Sequence, residues 1–499
     1  MAVTDRKTPE LVIGLVGPIG SGVSTVSSLL ARMLREELGY EADIVKVSKI
    51  IEDNADKIRS QPSTASRRTE RITRLQNAGN ALRRRFGEAY LAEKAVEGIN
   101  RKRIAARATD VSPPELRRVA HIVDALKNPA EVAALRDVYR PVFWLIAVFA
   151  PEEVRLSRFP DQAAGAMQEI FRRDEAETVE SGQKVRDTVQ EADFFVRNDG
   201  HDTTKLLPVL RRFLETVFSL KVVTPTRDES GMHHAAAAST RSACLSRQVG
   251  ASIMSPTGEL LSVGWNDVPQ KGGGLYSAES TRDNRCFAWD ERDDQDGHRL
   301  PKGICHNDRE KELLYVNLEA SLREAGLIDA SIPPTDVVAR LKFSRVRSLI
   351  EFSRSVHAEM EAIVSIARSG GTSVRGATMF TTTYSCHSCA RHIVAAGIVN
   401  VVYIEPYPKS LAFSLHGDAI THGESPDKVA FRQFEGFAPR NFDRLFVHRA
   451  GRKENGLAKT SSPTHALPMN APSIDGFTKH EELVVAKLYH AERLSETIR

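Results

Sequence analysis

The sequence predicts an α/β protein of two successive units, a doubly wound parallel sheet followed by a three-layer α/β/α domain. Three observations support this. The first 200 residues alternate short apolar runs with longer amphipathic stretches, a pattern typical of parallel strands with helices on both faces. A second series of strand-like and helix-like segments begins near residue 232. The chain of 499 residues is long enough for about two to four domains with their own cores.

The strands of the first unit are predicted at short apolar runs, and a helix should follow the glycine-rich turn after the first of them. These runs are LVIGLV (11–16), DIVKVS (43–48), HIVD (121–124), VFWLIAVF (142–149) and ADFFV (192–196). A helix over 204–220 is predicted to end the unit. Between the strands, residues 67–107 carry twelve Lys/Arg against four Asp/Glu. This basic stretch is either a solvated helical face or a phosphate-facing subdomain.

The second unit alternates predicted strands and helices around a long polar loop. Strands are predicted near 249–255, 260–264, 377–382 and 400–404, and helices near 356–368 and 388–396. Residues 266–310 are rich in Gly, Asp and Arg and predict a long functional loop. The domains are therefore predicted at 1–222 and 232–450, with a linker at 223–231 and a tail at 451–499 that contains a terminal helix near 481–494.

The composition excludes several classes of protein. Hydrophobic residues at 41% and charged residues at 27% are typical of a globular protein. A net charge of +4 and 6% aromatics do not fit a dedicated nucleic-acid coat or a base-stacking platform. Five cysteines, an odd and low number, favour a reducing compartment. The longest apolar run, Val142 to Ala150, is too short for a membrane helix. We therefore expect a cytoplasmic protein without a membrane partner.

A metal-binding pattern stands out in the second unit. His357-Ala358-Glu359 is followed, 29 residues after the histidine, by Cys386-His387-Ser388-Cys389. One imidazole and two thiolates can hold Zn²⁺ tetrahedrally and leave a fourth position for water, whose pKa zinc lowers toward about 7. His357, Cys386 and Cys389 are the predicted ligands, and Glu359 is the predicted carboxylate that moves the proton. A core histidine with an inert cysteine pair is a poor alternative, since both motifs precede helical sequence and thiolates are stabilised at helix N-termini.

A glycine-rich loop follows the first predicted strand. Residues 17–25, GPIGSGVST, open a helix, which is the expected context of a phosphate-binding P-loop. Val23 stands where that pattern has lysine, so the charge that reaches the β- and γ-phosphates is missing. A regulatory nucleotide, with Mg²⁺, is the predicted ligand; a purely structural loop and an active kinase, with an arginine as substitute, remain alternatives. The residues predicted to bind that nucleotide are Gly17, Gly20, Gly22, Ser24, Thr25 and Asp124.

Longer segments of the second unit resemble a known family. RSACLSRQVGASIMSPTGELLSVGWNDVP (241–269), the HAE motif and TTTYSCHSCARHIVAAGIVNVVYIEPYPKS (381–410) are similar to deoxycytidylate deaminases. With the P-loop-like segment, roughly residues 10–450 resemble the bacterial anti-phage dCTP deaminases, in which a kinase-like domain is fused to a deoxycytidylate deaminase. The family usually has proline before the first cysteine, where this chain has Ser385.

The resemblance implies a fold, an activity and partners. The folds would be a P-loop NTPase or nucleotide-kinase-like sheet and a cytidine-deaminase-like domain. The activity would be zinc-dependent deamination of dCTP, and also of dCMP, to the uracil nucleotide and ammonia, which depletes dCTP during phage infection. His357, Cys386 and Cys389 match the family's zinc ligands, and Glu359 matches its proton shuttle. A homo-oligomer and a trigger, either an inhibitory RNA or a phage-derived signal, are the implied partners.

Substrate contacts outside the zinc motif are predicted from weaker signals. Asn266 matches the family's asparagine near the sugar or phosphate, although a turn asparagine is the alternative. Arg241, Lys271 and Gly273 are expected at the triphosphate, because glycines let backbone N–H groups approach phosphate; a flexible loop is the alternative. Cys286, Cys305 and His306 are either part of a second zinc site, with His298 as a further ligand, or isolated thiols and a histidine.

Other functions remain open from the sequence alone. They are a dCMP deaminase of pyrimidine metabolism, a deaminase of DNA or RNA, a non-enzymatic nucleotide sensor with a structural zinc, and a nucleotide kinase. The near-neutral net charge counts against a polynucleotide substrate, and Glu359 counts against a purely structural zinc.

Overall fold

The computed structural model describes residues 7–58, 68–109, 117–177, 179, 181–200, 202–288, 303–407, 409–423, 425–447, 451–469 and 477–497. The chain divides into two compact units. The first comprises residues 1–229 together with 433–499, and the second comprises residues 230–432. No helix in the described ranges is both long enough and apolar enough to cross a membrane.

Strands in both units are short. In chain order they are β1 (Leu11–Val16), β2 (Glu41–Lys46), β3 (Val119–Leu126), β4 (Phe143–Phe149), β5 (Phe194–Arg197), β6 (Gly250–Met254), β7 (Leu260–Trp265), β8 (Thr378–Thr383), β9 (Asn400–Glu405), β10 (Ile420–Thr421), β11 (Val429–Gln433), β12 (Gly436–Phe437), β13 (Lys453–Glu454) and β14 (Leu457–Ala458).

The helices range from five to twenty residues. In chain order they are α1 (Val23–Leu38), α2 (Val47–Asp53), α3 (Arg68–Phe86), α4 (Tyr90–Thr109), α5 (Pro129–Tyr139), α6 (Glu152–Ser157), α7 (Ala164–Glu175), α8 (Val185–Gln190), α9 (Leu206–Val217), α10 (Arg227–Ser239), α11 (His306–Glu324), α12 (Pro334–Leu341), α13 (Ala358–Ser369), α14 (His387–Ala395), α15 (Ala412–His416), α16 (Phe442–Phe446) and α17 (Thr478–Thr497).

The first unit is built on a mostly parallel sheet of order β12-β5-β4-β1-β3-β2. β1 pairs in parallel with β3 and β4, and only the short β12 runs antiparallel, beside β5. The residues of β1 are buried throughout, as expected for a strand covered on both faces. The α/β class and the doubly wound parallel sheet are therefore confirmed. In such sheets, ligands bind outside the carboxyl ends of the strands, where the glycine-rich loop follows β1.

The basic segment folds into α3 and α4, and internal carboxylates neutralise part of its charge. Arg83 forms a buried ion pair with Glu131 on α5. Arg103 lies between two buried carboxylates, with its Nη2 atom 2.8 Å from Glu10 Oε2 and 2.9 Å from Glu481 Oε1. Many of these cations thus stabilise the unit itself.

The predicted domain boundaries differ from the observed division. Residues 433–450 were expected in the second domain and 451–499 in a separate tail, but both belong to the first unit. β12 pairs with β5, and the terminal helix, expected near 481–494, extends over Thr478–Thr497 and packs against α4. The expected linker at 223–231 overlaps α10, where buried Glu229 pairs with Arg212. These are long-range pairings that local sequence patterns do not contain.

The second unit has a mixed sheet of order β10-β11-β9-β8-β6-β7. β6 is antiparallel to β7 and β8, whereas β8 and β9 are parallel. α13 and α14 cover one face, with Ala362, Met379 and Ile393 in the shared core. On the other face Ser252 Oγ donates a hydrogen bond to the Gly231 carbonyl of α10. The expected three layers are therefore present.

One glycine fixes how closely α13 approaches this sheet. A Cβ atom at Gly264 of β7 would collide with the Ala358 carbonyl and the Ala362 nitrogen of α13. Because the first residues of α13 adjoin the predicted metal ligand His357, this close approach also sets the position of that ligand over the sheet.

Candidate active site and phosphate-binding loop

Two helix N-termini position the predicted metal ligands. His357 directly precedes α13, and Cys386 directly precedes α14, with Cys389 in the first turn of that helix. Cys386 Sγ accepts a hydrogen bond from the Cys389 backbone N–H at 3.4 Å. The positive end of the α14 dipole therefore favours thiolate at this position.

The three side chains converge on one point. His357 Nδ1 lies 3.3 Å from Cys386 Sγ and 3.3 Å from Cys389 Sγ. Their ligand atoms all lie within 4.8 Å of one another, and no other metal-binding group of this kind occurs in the described part of the chain. One imidazole and two thiolates at these separations fit a tetrahedral zinc site with one position open.

Electrostatics in the site favour deprotonation of one thiol. Hydrogen bonds from Cys389 and His357 hold the pKa of Cys386 at about 4, against the opposing effect of burial. Cys386 in turn raises the pKa of His357 to about 9. In the absence of metal, His357 therefore carries the proton at neutral pH and Cys386 is a thiolate. A cation bound by both groups would release that proton.

Glu359 lies in the first turn of α13, two residues after the histidine, and its side chain is almost fully buried, with 4% exposure. Burial raises its pKa, and the negative charge of Cys386 raises it further. A carboxyl group with a raised pKa beside a metal-binding group can both accept and return a proton.

The donor set and its neighbouring acid lie in a region that is similar to known proteins. Residues 225–405 match the family model described as the cytidine and deoxycytidylate deaminase zinc-binding region. The second unit contains a cytidine and deoxycytidylate deaminase domain. A deoxycytidylate deaminase of Enterobacteria phage T2 is 46% identical over 55 residues, which are 11% of this chain and 29% of that relative. The chain thus spans less than a third of the length of this curated relative.

Two solved structures resemble parts of the chain. The dCMP deaminase of cyanophage S-TIM5 is 19% identical, covers 42% of this chain and 99% of its own, and has a TM-score of 0.23. A shikimate kinase from Acinetobacter baumannii is 15% identical, covers 44% of this chain and 98% of its own, and has a TM-score of 0.25.

Asn266, expected near the sugar or phosphate, has its amide engaged within the deaminase domain. Its Oδ1 atom accepts a hydrogen bond from the Val249 N–H at 2.7 Å, and its Nδ2 atom donates to the Arg247 carbonyl at 2.8 Å. Both groups belong to the segment that leads into β6. The side chain therefore fixes this segment and, with it, the position of Arg247.

The remaining predicted phosphate contacts are a stacked arginine, an exposed lysine and a glycine in a turn. The Arg241 guanidinium stacks over the Trp265 ring, 3.6 Å from its centroid. Lys271 is exposed. Gly273 lies in a turn with φ +101°, where its N–H donates to the Gln270 carbonyl at 3.2 Å. This hydrogen bond occupies the Gly273 N–H, which is the group through which a glycine would contact phosphate.

The predicted second zinc site is not supported in the described residues. Among these residues, only His357, Cys386 and Cys389 bring three potential metal-ligand atoms together. Cys305 Sγ lies 3.3 Å from Ser246 Oγ, and burial raises the pKa of the Cys286 thiol. His306 is the first residue of α11, and the further ligand proposed from the sequence, His298, lies outside the described residues.

Sequence analysis did not single out a group of cations beside the metal ligands. Partial burial lowers the pKa of Lys409, and repulsion from Arg347, Lys311 and Arg247 lowers it further. Lys311 Nζ donates to the Arg347 carbonyl at 3.1 Å. A local excess of positive charge of this kind favours an anionic ligand.

This cation group is connected to the metal ligands through the EPYPKS segment. Ser410, the neighbour of Lys409, donates its Oγ hydrogen bond to the Ser385 carbonyl at 2.8 Å, and Ser385 adjoins Cys386. Arg247 pairs with Glu405 at the end of β9. The only sequence signal for this arrangement was the EPYPKS motif itself, because Lys311 and Arg347 come from a distant helical segment.

The P-loop of the first unit has the expected backbone. Gly20 and Gly22 have φ values of +85° and +89°, and Gly22 precedes α1. Ser24 Oγ donates to Asp124 Oδ2 at 2.9 Å, which brings together two of the side chains predicted to bind the nucleotide. Thr25 lies in the first turn of α1, where its N–H donates to the Gly22 carbonyl at 3.0 Å.

Proposed function

We propose that the deaminase domain catalyses hydrolytic deamination of deoxycytidine nucleotides, with dCTP and dCMP as substrates. The observation that carries this proposal is a buried carboxyl group, Glu359, beside a His–Cys–Cys donor set that leaves one coordination position open. When bound, zinc would supply the Lewis acidity that makes water nucleophilic at neutral pH.

The chain's own residues account for the proton transfers. Water adds to C4 of the cytosine ring, and the bond from C4 to the exocyclic nitrogen breaks. Glu359 accepts a first proton from the water and delivers it to N3 of the ring, where it remains in the uracil product. It then carries the second proton, from the new C4 hydroxyl, to the exocyclic nitrogen, which leaves as ammonia. The products are one uracil nucleotide and one ammonia for each water consumed. His357, Cys386 and Cys389 hold the metal and do not themselves exchange protons with substrate.

Ammonia release from the purified, zinc-loaded full chain tests the proposal. Wild-type protein should release ammonia from dCTP or dCMP, and Glu359→Gln should retain zinc while activity falls about 10²–10⁴-fold, the usual effect of removing a general acid–base group. Glu361→Gln, two residues further along α13, is the matched control and should keep activity. Equal activity of wild type and Glu359→Gln would overturn the proposed role.

A nucleoside triphosphate is favoured as the substrate because Lys409 and its positively charged neighbours lie beside the metal ligands. Comparison of dCTP, dCMP and deoxycytidine as substrates tests this preference. A preference for dCMP would instead favour a deaminase of pyrimidine metabolism. Turnover of a cytosine-containing single strand that free dCTP does not inhibit would favour a polynucleotide deaminase.

We further propose that the activity depletes dCTP during phage infection. Cells that express the wild-type chain should lose dCTP after infection and yield fewer phage than cells that express Glu359→Gln. Unchanged dCTP in infected wild-type cells would contradict this role. An inhibitory RNA or a phage-derived signal is the proposed trigger, and a cytoplasmic homo-oligomer is the proposed form; sedimentation of the purified chain measures the latter.

For the first unit we propose regulation by a bound nucleotide, with Mg²⁺. Its support is the glycine-rich loop at the carboxyl end of β1, with Ser24 and Asp124 in contact. Equilibrium binding of ATP with Mg²⁺ tests it, and phosphate transfer from ATP to a deoxynucleotide would favour the kinase alternative.

A further inference from the structure

The P-loop has no cationic side chain of its own. Val23 begins α1, is 9% exposed and belongs to the hydrophobic core of the first unit. A side chain in that environment cannot reach a phosphate. A loop that binds a polyphosphate nevertheless gains greatly from a cation, because each phosphate oxygen carries negative charge.

A lysine from another strand occupies the loop instead. Lys127 follows directly after β3, the parallel neighbour of β1, and its Nζ atom donates to the Gly17 carbonyl at 2.9 Å. The carboxyl ends of parallel neighbours lie at the same edge of a sheet, so a residue just beyond β3 can reach the loop that follows β1. Lys127 is 110 residues distant in sequence from Gly17 and yet contacts the loop's first residue.

The loop also holds an anion that belongs to the protein itself. Asp174, near the end of α7, is fully buried. Its Oδ2 atom accepts a hydrogen bond from the Ile19 N–H of the loop at 2.8 Å, and its Oδ1 atom lies 2.9 Å from Lys127 Nζ. The Asp174 carboxylate thus binds both the Ile19 N–H of the loop and the ammonium group of Lys127.

The loop retains capacity for a further ligand. Ser21 Oγ is buried without a hydrogen-bond partner among the described residues. An open groove adjoins the start of α1 and is lined by Ser24, Thr25, Ser28, Leu29 and Arg32. The N–H groups of Thr25 and Val26 donate to the Gly22 carbonyl, so the donors that α1 can offer to an anion are those of its first two residues.

Two other side chains fix the shape of the loop by binding its carbonyl groups. Arg158 Nη1 donates to the Gly20 carbonyl at 2.7 Å, and Asn198 Nδ2 donates to the Ser21 carbonyl at 2.7 Å. Because these two carbonyls are already hydrogen-bonded to side chains, the loop is ordered before an anion binds, which lowers the entropic cost of binding.

We propose that Lys127 binds the phosphate chain of a nucleoside polyphosphate in this loop in place of the lysine absent at Val23, and that Asp174 competes with that ligand for Lys127 and the Ile19 N–H. This role of Lys127 rests on the proposed binding of a nucleotide by the first unit. It identifies the side chain that supplies the positive charge, and Asp174 as the side chain that competes with the bound phosphates. Occupation of the loop then requires Asp174 to give up these contacts, which links binding to the position of α7.

Binding of ATP with Mg²⁺ to the full-length chain tests the proposal, with pyrophosphate as a competitor to establish that the phosphates are recognised. Lys127→Met should weaken ATP binding at least about 10-fold, the loss expected for a charge-assisted contact. Asp174→Asn removes the competing charge at constant size and should strengthen binding several-fold. Lys49→Met, which removes an exposed lysine of α2, is the control and should bind like wild type.

The double variant Lys127→Met/Asp174→Asn guards against misfolding, because it removes both charges of the buried pair together. It should melt close to wild type and bind ATP more weakly than Asp174→Asn, because the two differ only in Lys127. Wild-type affinity in Lys127→Met, or a double variant that binds as tightly as Asp174→Asn, would overturn the assignment of Lys127. An Asp174→Asn variant that binds no more tightly than wild type would overturn the competition. Absence of ATP binding in wild type and Asp174→Asn alike would instead contradict nucleotide binding by the first unit.

Discussion

The side-chain amide of Asn266 joins two backbone groups of one segment, the Val249 N–H and the Arg247 carbonyl. We predict that Asn266→Ala destabilises the deaminase domain by about 1–3 kcal/mol, because buried polar groups lose their partners. The KM for dCTP should rise as well, since Arg247 is no longer held in place. Urea unfolding and steady-state kinetics measure the two effects, with exposed Asn77→Ala as the control. A stable variant with an unchanged KM would contradict this positioning role.

A separate prediction concerns Lys409 and the preference for a phosphorylated substrate. It is exposed, and its electrostatic neighbours are cations. Lys409→Ala should raise the KM for dCTP about 5–10-fold, the effect of one lost charge-assisted contact, and leave turnover of deoxycytidine nearly unchanged. Lys342→Ala, which removes a lysine paired with Glu312, is the matched control. Equal losses with dCTP and deoxycytidine would show that Lys409 does not contact phosphate.

Residues differ in how far the sequence alone can predict their place. His357, Cys386 and Cys389 were predicted together because each motif is local and opens a helix, and the structure brings the three side chains together. Lys127 and Asp174 could not be predicted at the P-loop. Their contact depends on strand order and on where α7 ends, and neither follows from spacing along the chain.

Among the elements, α17 joins the first unit through a buried ion triad. Arg103 of α4 lies between Glu10 and Glu481, and all three side chains are almost fully buried. Removal of one partner from a buried ion pair typically costs about 3–5 kcal/mol, because the remaining charge is left uncompensated.

We therefore predict that Arg103→Met destabilises the first unit by about 3–5 kcal/mol. Arg101→Met, two residues earlier and exposed beside Glu97, should cost less than about 1 kcal/mol, as surface pairs usually do. Thermal unfolding of both full-length variants measures the difference. A similar melting temperature for the two variants would mean that the triad does not hold α17 in place.

The longer strands of both sheets were predictable because buried parallel strands and half-buried strands leave distinct apolar patterns, whereas β10 and β11 of the second sheet were not predicted. β1, for example, lies at the predicted residues 11–16. The assignment of β12 and α17 to the first unit was not predictable. β12 has only two residues, which is too short for a sequence pattern. The place of α17 depends on contacts with residues such as Arg103, which is hundreds of residues away in the chain.

At the scale of the whole molecule, each unit has a buried hydrophobic cluster of its own. One includes Trp144, Phe213 and Phe437, and the other includes Met379, Ile393 and Phe431. Separate cores of this size predict separate unfolding transitions. The metal ligands lie only in the second unit, so metal affects that unit directly.

We predict two transitions in calorimetry of the zinc-loaded chain and an unequal response to zinc removal. A chelator such as 1,10-phenanthroline should lower the transition of the second unit, because a ligand that binds only the folded state stabilises it. For a unit of this size each kcal/mol shifts the melting temperature by about 2–4 °C. Arg103→Met should lower only the other transition. A single transition that responds to both changes would show that the two units unfold together, and a chelator without effect on either would contradict zinc binding by His357, Cys386 and Cys389.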